Sequence, residues 1–278
     1  MRAQSGISFT KMQGLGNDFI IVDNRDLAIE DGAALARALC PRRLAAGADG
    51  LMLVEPSDRA DAKMHFFNAD GSEAEMCGNG IRCFARYLYD EGMVQKAAMS
   101  IETRAGIMQP SLRLVGGEVA AVQVDMGLPE LAPERVPVCG TGLHDEICVE
   151  GQTYALHSLR MGVPHAVILV ENAADPKWMR LGARIEADTE KFPERVNVNF
   201  VQVVNRGEAV IRTYERGAGP TLACGTGSCA AAVVLHHLGL AESRVKICHA
   251  PGDLEITVAP EAVYMEGPAE YVYRAVAQ

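Results

Sequence analysis

Met76-Cys77-Gly78-Asn79-Gly80 and Ala223-Cys224-Gly225-Thr226-Gly227 are near copies of one another. Each reads as a small or apolar residue, Cys, Gly, a polar residue and Gly, and each opens an apolar run with helical spacing. Cys224 follows Cys77 by 147 residues, about half of the 278-residue chain. A cysteine at a helix N-terminus gains from the positive end of the helix dipole and from backbone N–H groups that have no partner in the helix. Both thiols are therefore expected to be acidified. The glycines that follow remove side chains that would cover those N–H groups, which then suit a carboxylate. Two such thiols in two similar halves suggest a pair facing one substrate. A general base and a general acid on opposite faces of a carbon are what inversion of its configuration requires. The same amides would stabilise charge developing on a carboxylate as the neighbouring α-proton leaves.

Outward from the first motif, Ile81, Phe84, Ala85 and Leu88 form an i, i+3, i+4, i+7 stripe, with Gly92 as the stop. Outward from the second, residues 228–238 are apolar on all sides until His236 and His237, and Gly239 ends the run. A helix apolar all round is buried all round, so this one is expected to run through a domain wrapped by strands. Alternating or short apolar runs predict strands over residues 7–12, 19–23, 51–55, 63–67 and 119–126, then 164–170, 198–204 and 209–214. Helical patterns cover 31–40 and 176–191. The layout of strands, glycine-rich turn, Cys-Gly-x-Gly and helix occurs twice, which implies two like domains with their helix N-termini meeting at a cleft. Gly127, Pro129, Pro133 and Pro137 mark a boundary. The expected domains are 1–125, completed by a final strand over about 268–278, and 126–267.

Hydrophobic residues make up 49% and charged residues 22%, ordinary values for a globular chain. A net charge of −10 argues against a nucleic-acid partner. The start has no basic-then-apolar layout of an export signal, and the longest apolar stretch, 229–235, is too short to span a bilayer. A cytoplasmic protein with no membrane partner is the expectation. The eight cysteines then need no disulfides. Zinc is disfavoured because Cys77/Cys83 and Cys224/Cys229 enclose five and four residues, without the second tight pair that structural zinc sites use. Cys83 and Cys229, together with Cys40, Cys139, Cys148 and Cys248, read as core residues.

Further motifs carry a resemblance. They are the run from Lys11 to Phe19 (KMQGLGNDF), Phe67-Asn-Ala-Asp-Gly-Ser72, Glu194-Arg-Val-Asn197 and Tyr214-Glu-Arg-Gly-Ala-Gly219. With the two cysteine motifs, they make the chain similar to the diaminopimelate epimerases from about residue 9 to residue 273, in the family's order and spacing. The resemblance implies an α+β fold of two similar, pseudo-symmetric domains, each a strand barrel around a central helix, with the active site in the inter-domain cleft. It implies epimerisation of LL-diaminopimelate to the meso form in lysine and peptidoglycan precursor biosynthesis, with no pyridoxal phosphate, other cofactor or metal, and a homodimer. By position, Cys77 and Cys224 correspond to the acid/base pair and Asn17 to a substrate contact. Gly78, Asn79, Gly225 and Thr226 correspond to the residues whose amides hold the α-carboxylate. Asn68, Asn197, Glu215 and Arg216 correspond to the grip on the distal amino-acid end: Arg216 can take a carboxylate bidentately and Glu215 an ammonium. His165 corresponds to a histidine near the thiols and is expected to help set their protonation together with Glu215.

Two positions depart from the family pattern. Val163 stands where many members carry Asn, and it cannot replace a hydrogen bond to the distal end of the substrate; losing such a bond costs about 1.5–3 kcal/mol. Gly50 stands where some members carry Gln. Val163 keeps open a related cysteine-pair racemase or epimerase for another amino acid, such as those acting on proline or hydroxyproline. Outside that class, two acidified thiols could form a redox sensor. The chain, however, has no Cys-x-x-Cys.

Overall fold

The structure, a computed structural model, describes residues 6–277. Residues 1–5 and Gln278, which fall in the expected N-terminal domain and final strand, lie outside the described residues. The chain forms two compact units, Met1–Val124 with Gly267–Gln278, and Asp125–Glu266.

The first unit contains β1 (Ile7–Gly14), β2 (Asn17–Asp23), α1 (Gly32–Leu39), β3 (Gly50–Glu55), β4 (Ala62–Asn68) and α2 (Gly78–Asp90). Then come β5 (Ile101–Thr103), β6 (Gly106–Met108), β7 (Ser111–Val115) and β8 (Glu118–Asp125). The second unit holds β9 (Asp145–Val149), β10 (Gln152–Met161), β11 (Val163–Leu169), α3 (Lys177–Glu186), β12 (Asn197–Asn205) and β13 (Glu208–Glu215). It continues with β14 (Gly219–Thr221), α4 (Gly225–His237), β15 (Arg244–His249), β16 (Gly252–Val258) and β17 (Val263–Gly267). The last strand, β18 (Glu270–Ala277), returns to the first unit.

In the first unit the sheet order is β18-β1-β2-β3-β4-β5-β6, with β7 and β8 paired as a hairpin. β1 and β2 are joined by Leu15-Gly16, both at positive φ (56° and 83°). This two-residue turn matches the twist of a hairpin and brings Asn17 opposite Gly14. α2 packs on β1 and β2, burying Ile81, Cys83, Phe84, Ala85 and Leu88.

In the second unit the order is β17-β16-β15-β13-β12-β11-β10-β9, with β14 on β13. α4 packs against β10, β11, β12, β13, β15 and β16, and every residue from Gly227 to Leu235 is buried. The side chains of Ala230, Ala231 and Ala232 are small enough to let strands approach from all sides. A second layer sits outside: α3 lays Trp178, Leu181 and Ile185 on Phe200, Val198 and Ile168, with Trp178 stacked on Phe200 at 5.1 Å between ring centroids.

The sequence reading is corrected in several places. α3 ends at Glu186 rather than 191, because residues 188–195 turn to bring Phe192 and Val196 into the core. Cys139 and Cys148 are exposed. Val136 and Val138 take the buried positions around the former, and Ile147 takes the inward face of the edge strand β9, leaving Cys148 outward. Cys248 is half-buried on the face of β15 opposite Ile247, its Sγ 3.5 Å from Glu208 Oε1. Cys40, Cys83 and Cys229 are buried.

Candidate active site

Both motif cysteines are the N-caps of the central helices, in extended conformation (φ −137° for Cys77, −124° for Cys224). The first helical hydrogen bonds run from Ile81 N to Cys77 O and from Ser228 N to Cys224 O. The amides of Gly78, Asn79, Gly225 and Thr226 therefore lie ahead of the i→i−4 ladder.

In the first unit, Cys77 is half-buried and its Sγ donates to Asn17 Oδ1 at 3.4 Å. Asn17 is turned that way by Asp49, whose Oδ2 accepts from Asn17 Nδ2 at 2.8 Å. A carboxylate accepts only, so the amide nitrogen faces Asp49 and the amide oxygen faces the thiol. Asp49 is gripped by Arg42, which also pairs with Asp18. Burial alone would raise the Asp18 carboxyl, but Arg42 and Lys11 hold it down to about 2. Asn79 donates to the same Asn17 oxygen at 3.3 Å. Its own oxygen accepts from the buried Arg82 at 2.9 Å, and Arg82 also reaches Gly78 O and Pro268 O. Asn68 is exposed; its Nδ2 donates to Ser72 Oγ at 3.0 Å in the turn after β4.

In the second unit, Cys224 Sγ accepts from Gly227 N at 3.4 Å and lies 3.5 Å from Thr226 Oγ1. These contacts favour a thiolate, yet the thiol is raised above its ordinary value. Burial is the larger cause and the Glu215 carboxylate beside it the next. The expected acidification fails at Cys224: a helix N-terminus acts weakly on a sulfur stripped of water and set next to a negative charge. Glu215 is itself held by Thr221 Oγ1 at 2.5 Å. Asn197 is buried, and its Oδ1 accepts from the Arg216 backbone amide at 2.7 Å. The Arg216 side chain is exposed and donates to Glu194 O at 2.9 Å. Asn197 thus sets the turn that presents Arg216.

His165 is fully buried on β11 beside Asn199. Burial first, and the Arg216 charge second, push it down to about 3, so the imidazole is neutral at ordinary pH. Val163 opens the same strand after Gly162, which has φ +72°. Asp49, Arg82, Asn199 and Thr213 escaped the sequence reading. Arg82 follows Ile81 and lies off the apolar stripe of α2, so the pattern itself did not mark it. Two asparagines in alternation on the apolar strand β12 were the signal for Asn199. Among the described residues, no cluster of three or more His, Cys, Asp or Glu side chains could hold a metal ion.

Each unit sets a cysteine-capped helix against its strands, and the two-unit architecture is shared with solved structures of low sequence identity. The Bacillus anthracis PhzF-family phenazine biosynthesis protein has this fold, with a TM-score of 0.71 at 16% identity, covering 99% of this chain and 100% of that one. So does a hydroxyproline epimerase from Agrobacterium vitis, with a TM-score of 0.67 at 16% identity, covering 100% and 94%.

Within that architecture the sequence is specific. The family model described as diaminopimelate epimerase matches residues 9–132 and 157–272. The diaminopimelate epimerase of Moorella thermoacetica is 48% identical over 272 residues, 96% of this chain and 97% of that protein. That of Desulfitobacterium hafniense is 45% identical over 277 residues, 97% and 98%. The chain belongs to the diaminopimelate epimerase family.

Proposed function

We propose that this protein epimerises LL-diaminopimelate to meso-diaminopimelate by a cofactor-independent, two-base mechanism. The observation that carries the reading is the pair of cysteine N-caps, each beside backbone amides ahead of its helix ladder. Cys77 and Cys224 serve as the base and acid for one α-carbon. Because burial and Glu215 keep Cys224 protonated, Cys224 enters as the acid and Cys77 as the base. The Cys77 thiolate takes the α-proton, the electron pair of the C–H bond spreads toward the carboxylate, and Cys224 delivers its proton to the opposite face. In the reverse direction the roles exchange. The amides of Gly78, Asn79, Gly225 and Thr226 hold the α-carboxylate, where a donor that meets developing charge is worth about 2.7–4 kcal/mol. Asn17 contacts the substrate next to Cys77, while Asn68, Asn197 and Arg216 serve its distal end. Glu215, assigned to that end by the family resemblance, lies close enough to Cys224 to act on its protonation as well.

No described helix is long and apolar enough to cross a membrane. The family reading adds a place in lysine and peptidoglycan precursor synthesis, in the cytoplasm, and a homodimeric state that light scattering would test. The experiment that tests the reaction is proton NMR with LL-diaminopimelate in D2O, with reductant and no added cofactor. The expected result is meso product carrying one solvent deuterium while early residual substrate stays protonated. Deuterium appearing in unreacted substrate before inversion would replace two bases with one. Val163 favours a second reading, a related epimerase for another amino acid. It predicts no turnover of diaminopimelate but turnover of one member of an amino-acid panel in the same assay.

A further inference from the structure

The ring of His165 has one nitrogen in a hydrogen bond and one without. Nδ1 lies 3.1 Å from Asn199 Nδ2, whereas Nε2 is buried and has no protein partner among the described residues. Which nitrogen carries the proton follows from the groups around Asn199. The atom assigned as Asn199 Nδ2 is 3.3 Å from Ala166 O and 3.3 Å from Asn197 O. Backbone carbonyls only accept, so the amide group there must be the NH2 end. On the other side Asn199 Oδ1 accepts from the Thr213 hydroxyl at 3.1 Å. Flipping the amide would set its oxygen against two carbonyl oxygens. With the NH2 end fixed toward His165, Nδ1 can only accept, and the single proton of the neutral ring sits on Nε2.

The topology supplies this alignment. Asn199 and Thr213 are direct cross-strand partners on β12 and β13, and His165 on β11 pairs with Asn197, two residues before Asn199 on the same face. The network also touches the thiol-bearing turn. A Cβ built on Gly227 would come within 2.4 Å of Asn199 Oδ1 and 3.2 Å of Cys224 Sγ.

We infer that Thr213 and Asn199 are positioning residues that lock His165 as a neutral Nε2–H donor. That donor is held in reserve for an anionic acceptor which arrives only with the reaction, either a substrate carboxylate or a thiolate. In this arrangement His165 gives a hydrogen bond and does not take a proton. A buried donor left unpaired is costly, and the cost is recovered when the acceptor binds. Burial, which keeps the ring neutral to about pH 3, supports the same picture. The inference rests on the epimerase reading for its consequence, but not for its first test.

That test is long-range 1H–15N correlation of the substrate-free protein at neutral pH, with His165→Gln to assign the ring. Wild type should show a protonated Nε2 and a bare Nδ1. Asn199→Asp offers a carboxylate to Nδ1 and should move the proton there. Thr213→Val should blur the preference, and Thr213→Ser should restore it. In turnover, Asn199→Asp should lower kcat by about 100-fold with little change in KM and introduce a new ionisation in the pH profile. Thr213→Ser should stay near wild type. A wild-type ring protonated on Nδ1, or an Asn199→Asp enzyme that switches tautomer and keeps its kcat, would overturn the inference. Should Asn199→Asp fail to fold, the Thr213→Val and Thr213→Ser pair decides by the same spectra. A correct tautomer in a protein that epimerises no amino acid would sink the epimerase reading alone.

Discussion

Cys224 shows how two local influences of opposite sign are weighed. Gly227 N and Thr226 pull its thiol toward the thiolate, while burial and Glu215 push harder the other way. Removing the negative charge therefore has a defined direction. Glu215→Gln should make the Cys224 thiol more acidic and speed its alkylation at fixed pH, by about threefold for a thiol made tenfold more acidic, because the less basic thiolate is also the weaker nucleophile. Peptide mapping of iodoacetamide-treated protein would read this at Cys224 itself, apart from the exposed Cys139 and Cys148. A rate unchanged or slowed would remove Glu215 from any control of the thiol. Cys77→Ala and Cys224→Ala should each cost at least about 100-fold in turnover with the circular dichroism unchanged, since general acid–base groups contribute on that scale. Normal turnover in either variant would end the two-thiol mechanism. The cysteines were legible because a reactive residue beside glycine, repeated at half the chain length, is a pattern in sequence. Asp49 and Thr213 were not, because their effect is transmitted through the amides of Asn17 and Asn199: Asp49 reaches Asn17 from a separate loop, and Thr213 meets Asn199 only once the register of the β12–β13 hairpin is set.

The two central helices share a plan but differ in how tightly their first turns are packed. At Gly80 an added Cβ would meet Met52 Cε at 2.2 Å, the end of a flexible side chain that can swing aside. At Gly227 it would meet Asn199 Oδ1 at 2.4 Å, and that amide is held by Thr213, His165 and two backbone carbonyls. Gly80→Ala should thus cost about 1 kcal/mol of stability and leave turnover largely intact. Gly227→Ala should displace the thiol and the relay together and lower kcat by about 100-fold. Equal losses in the two variants would show that the packing difference is irrelevant to catalysis. At this scale the sequence was most readable where a pattern was strong. The apolar run of α4 gave a helix buried on all sides, and the short apolar or alternating runs of β1, β2 and β12 and the alternation of β13 gave strands. The strands passed over are β10, whose inner half from Leu156 to Leu159 is buried without alternation, and β15 to β17, which do alternate, with Val245, Ile247, Leu254, Ile256, Val263 and Met265 inward, but are short and follow one another closely.

At the scale of the molecule, the buried histidine proposed as a donor in the site also shapes how the protein responds to acid. In the unfolded chain a histidine takes its proton near pH 6.5, whereas His165 in the fold does so only at about 3. Between those values the unfolded chain binds a proton that the native state does not, so stability falls as pH falls through that window, by up to about 1.4 kcal/mol per pH unit from this one residue. Above pH 6.5 both states carry a neutral ring and the contribution vanishes. Asp18 behaves as a paired carboxylate: its stabilisation is full above about 3.8 and is lost as pH drops toward 2, so it does not confuse the higher window. The chain has a single tryptophan, Trp178, buried against Phe200 in the same unit as His165, so its fluorescence follows the unfolding of the part that matters. Urea melts read by that fluorescence at pH 7.5, 6.0 and 4.5 should show wild type losing stability steadily below pH 6.5. His165→Gln, which has no ring to protonate, should lose less over the same range even if it starts lower. The difference between the two slopes isolates His165 from every other titrating group, because those are common to both proteins. Parallel slopes would mean that His165 reaches its proton in the folded protein as easily as in the unfolded one, and the ring could not then be the fixed neutral donor that its surroundings require.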